Sequence, residues 1–183
     1  MAVQPRSISL IAVAPAEARF VDLIFAGDQE KFWLHFNHYW RDNAARVPGV
    51  ECRWIEASEP DEDLDWEGPI GFCAFGDFFE DEELTKSIPG SLEIIHFVIH
   101  RQHQRRGFGL AATLEIIRAL LKQDDCERIM VAHHPDNLAA SKLYNGLGFS
   151  LVGENYDGDP LYAMTKTQAI CITRAALNSV VTF

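Results

Sequence analysis

The stretch from Leu92 to Leu121 constrains this chain more than any other. Leu92 to His100 is an apolar run of the kind that forms a buried strand, and Leu110, Leu114, Ile117 and Leu121 recur on one face of a helix. Between them lies Gln104-Arg-Arg-Gly-Phe-Gly-Leu-Ala111. A strand, a glycine turn and a helix start are implied. The glycines let a ligand approach the backbone, and the first helical turn offers free N–H groups at the positive end of the helix dipole. Such a turn suits a phosphate or pyrophosphate. From Ile94 to Leu114 there is no Asp or Glu, while Arg101, Arg105 and Arg106 are present, in a chain of formal net charge -11. The basic patch is therefore local.

Gly107-Phe-Gly109-Leu-Ala-Ala112 satisfies the loose dinucleotide fingerprint G-x-G-x-x-A, which requires glycines directly after the strand and an acidic residue ending the next one. Neither condition holds. Arg101 to Arg106 intervene, and the next strand, about Arg128 to His133, ends in His-His-Pro. Gln-x-x-Gly-x-Gly after an apolar strand instead resembles the coenzyme A pyrophosphate motif of the GNAT superfamily of N-acetyltransferases. Asn137-Leu-Ala-Ala-Ser-Lys-Leu-Tyr144-Asn-Gly-Leu-Gly-Phe149 resembles the second GNAT signature, in family order and at about the family spacing. The likeness is close from Leu92 to Lys166 and extends to the first half only in the order of elements.

The resemblance implies an α/β fold: a mixed, mostly antiparallel sheet of six or seven strands, flanked by helices, with a parallel strand pair at the cofactor site. It implies acetyl-CoA as co-substrate and transfer of the acetyl group to a primary amine by direct attack in a ternary complex. On the matching positions, the backbone of Phe97, Val98 and Ile99 is expected to pair with the pantetheine arm, with a freed N–H, that of Val98 in the first instance, serving the thioester oxygen. Gln104, Arg105, Arg106, Gly107, Phe108 and Gly109 are expected to cradle the pyrophosphate. Asn137 is expected to bond the pantetheine arm, and Lys142 to reach a phosphate.

Three residues carry the expected catalysis. Tyr144 matches the family tyrosine near the coenzyme A sulfur, whose phenol can donate to the departing thiolate. Glu93 lies eleven residues before Gln104, where glutamate-dependent members carry their base. A carboxylate on an apolar strand is costly to bury, so a cleft-facing Glu93 would have a raised pKa; a structural Glu at the strand start is the alternative. His96 is the second candidate base. Alternation puts Glu93 and His96 on opposite faces of the strand, which makes them rivals. His133 and His134, at the end of the neighbouring strand, also come within reach of the cleft.

Elsewhere the reading is coarser. Ser7 to Ala14, Val50 to Ala57 and Pro69 to Phe79 read as strands, Ala16 to Phe25 and Gln29 to Asp42 as helices. Phe32, Trp33, Phe36, Tyr39 and Trp40 pack on the sheet or line an acceptor pocket. Glu59 to Glu67 and Asp77 to Glu83 read as acidic loops, with Pro89-Gly90 as a breaker. These carboxylates are either a solvated surface or an attractor for a cationic acceptor. Ser150 to Glu154 and Leu161 to Lys166 form a hairpin around residues 155–160.

Length and 48% hydrophobic residues fit a single domain, 1–183, in which 167–183 is an extension that packs on the domain or on a second subunit as a homodimer. No signal peptide or long apolar run is seen, giving a cytoplasmic expectation with no membrane partner. At pI 5.0 nucleic acid is not expected. The four cysteines read as buried free thiols, and no metal site is expected. The acceptor, a small-molecule or peptide amine, stays unnamed. A non-catalytic acyl-CoA-binding module and a transferase for another acyl-CoA remain as alternatives.

Overall fold

Alternation along each strand decides which side chains enter the core. In the computed structural model, which describes residues 6–27, 35–58, 66 and 68–180, the order of elements is β1 (Ile8–Ala12), a 3₁₀ turn (Ala18–Leu23), α1 (Asn37–Arg46), β2 (Val50–Ala57), β3 (Gly71–Phe79), β4 (Ser87–Ile99), a second 3₁₀ turn (Arg101–His103), α2 (Phe108–Leu120), β5 (Arg128–Ala132), α3 (Leu138–Gly146), β6 (Ser150–Glu154), β7 (Pro160–Thr165) and α4 (Lys166–Val180). The strands are hydrogen-bonded in the order β1-β2-β3-β4-β5-β7-β6. The sheet is mixed and mostly antiparallel, with β4 and β5 as its one parallel pair. That ladder runs from Ser91 opposite Arg128 to Ile94 opposite Val131. The chain divides into two compact units, one within residues 1–75 and 95–115, the other 76–94 and 116–183.

In the first unit, Val21, Ile55 and Phe72 are fully buried, and the Trp54 and Phe72 rings meet edge to face at 5.9 Å. Asn37 ties α1 down: its Nδ2 donates to the carbonyls of Val21 (2.7 Å) and Ile24 (2.8 Å). The helix has no cap of its own, and Asp22 Oδ1 accepts from the His38 N–H at 3.1 Å instead. A Cβ at Gly71 would sit 2.5 Å from the Val98 carbonyl, so the close approach of β3 to β4 requires glycine there.

Two expectations for this unit change. Residues 16–25, expected as a helix, form only the 3₁₀ turn; its N-cap Glu17 makes no side-chain cap bond, and by Ile24 the chain is already extended. The next helix, expected over 29–42, is described from Asn37 and runs on to Arg46; Phe32 and Trp33 lie outside the described residues. Phe36 is exposed, Tyr39 half-buried and Trp40 buried, so the aromatic face does not act as one unit.

In the second unit, Phe78, Met130 and Leu161 cluster with Ile88, Ala132 and Ala163, while Ile116, Ile117, Leu120 and Ile129 are fully buried. Pro89-Gly90, expected to break the chain, instead lies inside β4. Gly90 takes φ +75°, and its carbonyl accepts from the Glu127 N–H at 2.9 Å. The second acidic stretch is not a free loop either. Asp77 belongs to β3, and Asp81 accepts from the N–H of Thr85 (3.1 Å) and of Lys86 (2.7 Å), closing the turn into β4. The first acidic stretch falls almost entirely outside the described residues.

The C-terminal extension is helix α4, packed against β5 and β7 of its own chain. Thr165 and Gln168 start it with a reciprocal pair: the Gln168 side chain accepts from the Thr165 N–H at 2.8 Å, and Thr165 Oγ1 accepts from the Gln168 N–H at 3.3 Å. Cys52, Cys73 and Cys126 are buried free thiols, and burial pushes Cys52 up to about 12; Cys171 on α4 is exposed, against expectation. Among the described residues no helix is long and apolar enough to cross a membrane.

Candidate active site

The end of β4 and the turn after it belong to the first unit. Val98 points its carbonyl at β3, as the Gly71 contact shows, and the His100 N–H donates to the Ile70 carbonyl at 2.9 Å. A strand residue directs its N–H and C=O to the same neighbour, so the opposite edge of β4 is served by Phe97 and Ile99. Beyond Ile94 that edge is outside the parallel ladder. The Ile99 carbonyl is taken up by Gln104 Nε2 at 3.0 Å, which also donates to the Ala26 carbonyl at 2.7 Å. Gln104 thus fixes the strand exit through its side chain.

Arg105 (φ +60°) and Gly107 (φ +89°) then reverse the chain, and α2 begins. Its first turn closes with the Ala111 N–H on the Gly107 carbonyl at 3.2 Å, which leaves the N–H groups of Phe108, Gly109 and Leu110 without helical acceptors. The Phe108 side chain is buried, so this residue offers main chain only. Arg105 is exposed and Arg106 half-buried. Orphan N–H groups, a left-handed turn and cationic side chains fit a pyrophosphate.

Two props of this turn have no signal in the sequence. Trp66, isolated within an acidic run, stacks on His100 at 4.2 Å, and buried His103 meets both Trp66 and Phe108 edge to face.

His96, also in this unit, is buried, with Nε2 2.7 Å from Asn37 Oδ1. The Asn37 amide nitrogen is spent on two carbonyls, so its oxygen accepts and His96 Nε2 carries the proton. Burial lowers His96 to about 3, with His35 adding to the effect, so the ring is neutral.

The remaining residues lie in the second unit. Glu93 is half-buried on β4 opposite Met130 of β5, and among the described residues its carboxyl has no hydrogen-bond or ion-pair partner. Desolvation alone pushes its carboxyl up to about 8. Tyr144 is buried on α3, its ring 5.6 Å from Phe149, and burial raises its phenol above the ordinary value. It therefore stays protonated at neutral pH and can only give a proton.

His133 follows β5. Its ring is stacked with Tyr162 at 5.1 Å and Tyr144 at 6.2 Å. Nδ1 lies 2.9 Å from the His134 carbonyl and so donates; Nε2 is buried with no partner among the described residues. Asn137 caps α3, its Oδ1 accepting from the Ala140 N–H at 3.1 Å, which leaves the amide nitrogen for any ligand. Lys142 is exposed.

Several known proteins are similar to this chain. A probable spermine N(1)-acetyltransferase of Bacillus subtilis subsp. natto (strain BEST195) is 31% identical over 91 residues, covering 49% of this chain and 59% of that protein. The spermidine N-acetyltransferase of Vibrio cholerae, solved with CoA and spermine, has a TM-score of 0.64 at 14% identity, covering 89% of this chain and 98% of the other. Aminoglycoside acetyltransferase AAC(6')-Ib, solved with coenzyme A and kanamycin, has a TM-score of 0.69 at 17% identity, covering 92% and 99%. At these identities the two structures establish the fold. Residues 16–149 match the profile of the Acetyltransferase (GNAT) family, and the chain belongs to that family.

Proposed function

We propose that this protein transfers an acetyl group from acetyl-CoA to a primary amine, with Glu93 as base and Tyr144 as acid. The observation that carries this reading is Glu93: a carboxyl with no partner among the described residues, on an apolar strand, poised at about 8. That value suits removal of a proton from an ammonium, whose ordinary pKa of about 10.4 leaves no lone pair at neutral pH. His96 is set aside as base because its neutral ring is already committed to Asn37 and binds a proton only near pH 3. The family match runs through both units, which supports one acetyltransferase domain.

Acetyl-CoA supplies the thioester carbon and the leaving sulfur. The N–H groups at the start of α2, with Arg105 and Arg106, hold its pyrophosphate. The free edge of β4, with the Phe97 N–H in place of Val98, pairs with its pantetheine arm, and the Asn137 amide nitrogen donates to the same arm. Lys142 reaches outward to a phosphate. Glu93 takes one proton from the ammonium. The neutral amine attacks, the C–N bond forms and the C–S bond breaks. Tyr144 gives its proton to sulfur, and the second proton leaving nitrogen restores the phenol. The acceptor we propose is a cationic amine, in keeping with the net charge of -11 and with the amines that the related proteins are named for.

Release of coenzyme A from acetyl-CoA, measured over a panel of polyamines, aminoglycosides and lysine peptides, tests the reading. Release that requires one amine class and falls in Tyr144→Phe and Glu93→Gln is expected. Tight acetyl-CoA binding with no release on any amine would overturn it.

A further inference from the structure

Within the first unit, β2, the 3₁₀ turn at Ala18–Leu23 and the chain at residues 66–69 border a cavity of about 400 Å³ that is open to solvent, with Glu17, Phe20 and Leu23 exposed. None of the residues assigned above to coenzyme or catalysis lines it. Its walls are Phe20, Leu23, Trp54 and Trp66, with two carboxylates, Glu17 and Glu56, and no Lys, Arg or His among the lining residues. The volume falls in the range of small-ligand pockets, roughly 300–1,000 Å³.

Trp54, Trp66 and Glu17 are held in place. Val50, Cys52 and Trp54 form the inward stripe of β2, and alternation puts Glu56 next on that stripe. Glu56 is half-buried, and among the described residues no hydrogen bond or ion pair reaches its carboxylate. A partly desolvated carboxylate at a stripe position is unfavourable unless something compensates it. Glu17 is aimed from the other side, its Oε2 accepting from Trp54 Nε1 at 3.3 Å. Trp66 is pinned by its Nε1, which donates to the Pro69 carbonyl at 3.0 Å, and by its stack on His100. The neighbouring Arg19 guanidinium lies 4.6 Å from the Phe20 ring centre, so one aromatic wall already receives a cation.

Aromatic faces and two carboxylates, with no basic side chain among the lining residues, favour one chemistry, an organic cation. We propose that this cavity binds an aliphatic ammonium group, its methylene stem against Trp54, Trp66 and Leu23 and its charge shared by Glu17 and Glu56. The site is one of recognition, and it stands whether or not the amine held there is the one acetylated.

The test is an NMR titration of the full-length protein with 1,5-diaminopentane, following the indole N–H signals of Trp54 and Trp66, each assigned by its Trp→Phe variant. Saturable shifts of both signals are expected, absent with 1,5-pentanediol, and weakened about tenfold in Glu56→Gln while acetyl-CoA affinity is unchanged. Stationary signals, equal shifts with the uncharged diol, or undiminished affinity in both Glu56→Gln and Glu17→Gln would overturn the proposal. Coenzyme A release is read separately: binding without release counts only against the acetylation reading, and release without these shifts only against the cavity.

Discussion

Glu93 and His96 stand three positions apart on β4, and their surroundings drive them in opposite directions. Glu93 is half-buried, has no partner among the described residues, and is pushed up to about 8. His96 is buried, donates to Asn37 Oδ1 at 2.7 Å, and is pushed down to about 3. Desolvation acts on both and in each case favours the neutral form. The difference lies in what the neutral form does. Neutral His96 satisfies an amide that in turn anchors the start of α1, so its proton is structural. Among the described residues neutral Glu93 satisfies no other group, which leaves its carboxyl proton uncommitted.

The largest test of that contrast is Glu93→Gln. It is expected to lower kcat/KM about 10³-fold, the range of a lost general base, while acetyl-CoA affinity is kept. In the wild type, kcat/KM should climb with pH and level off above about 8, because only the ionised carboxylate accepts a proton. The variant should lack that limb. Stability should respond with the opposite sign. The folded-state pKa lies above the ordinary 4.5, so the contribution of this group is complete below pH 4.5 and is lost as pH rises through 8. Thermal melts of Glu93→Gln should therefore decline less than wild type between pH 5 and pH 9. A limb that survives in Glu93→Gln would remove Glu93 as base.

Tyr144→Phe comes next, with kcat down about 10²-fold and the KM for acetyl-CoA nearly unchanged. Phe retains the packing against Phe149 and His133 and removes only the hydroxyl. An unchanged kcat would confine Tyr144 to packing. Asn37→Ala probes the other side of the contrast. Two carbonyls and the His96 ring lose their partner in a buried setting, which costs about 2–3 kcal/mol of stability. Denaturant unfolding should show this loss, and the rising limb of kcat/KM below about pH 8 should stay where it was. A displaced limb would mean that His96 takes part in the chemistry.

The sequence made one half of this molecule far more legible than the other, for a physical reason. The strand, turn and helix from Leu92 onward follow from contiguous residues, because a pyrophosphate site made of backbone N–H groups needs glycines and a helix start in a row. The alternation separating Glu93 from His96 was equally readable. Their opposite environments were not, since these depend on Asn37, 59 positions away along the chain. The helix at 166–180 was signalled by Thr165-x-x-Gln168, a local capping pattern that the reading of this segment as an extension passed over. Phe97 replaces Val98 as the proposed edge donor because facing along a strand is fixed by pairing with β3, which a single strand's sequence does not contain. The cavity beside Trp54 draws its walls from residues 17 to 69, and no contiguous motif marks it.

The smallest effect is expected where the charge is most conspicuous. Arg105 is exposed at a left-handed position of the turn, so any attraction of its guanidinium for a phosphate is screened by solvent. Arg105→Ala removes that attraction and leaves the N–H groups of Phe108, Gly109 and Leu110 in place. Coenzyme A affinity should weaken about threefold at low salt and converge with wild type as ionic strength rises. Arg105→Gly, which also relaxes the positive φ, should bind coenzyme A as the alanine variant does but fold slightly more stably than it. Calorimetric titration across a salt series separates the two contributions. A loss of tenfold or more that persists at high salt would show that the side chain, and not the main chain, holds the pyrophosphate.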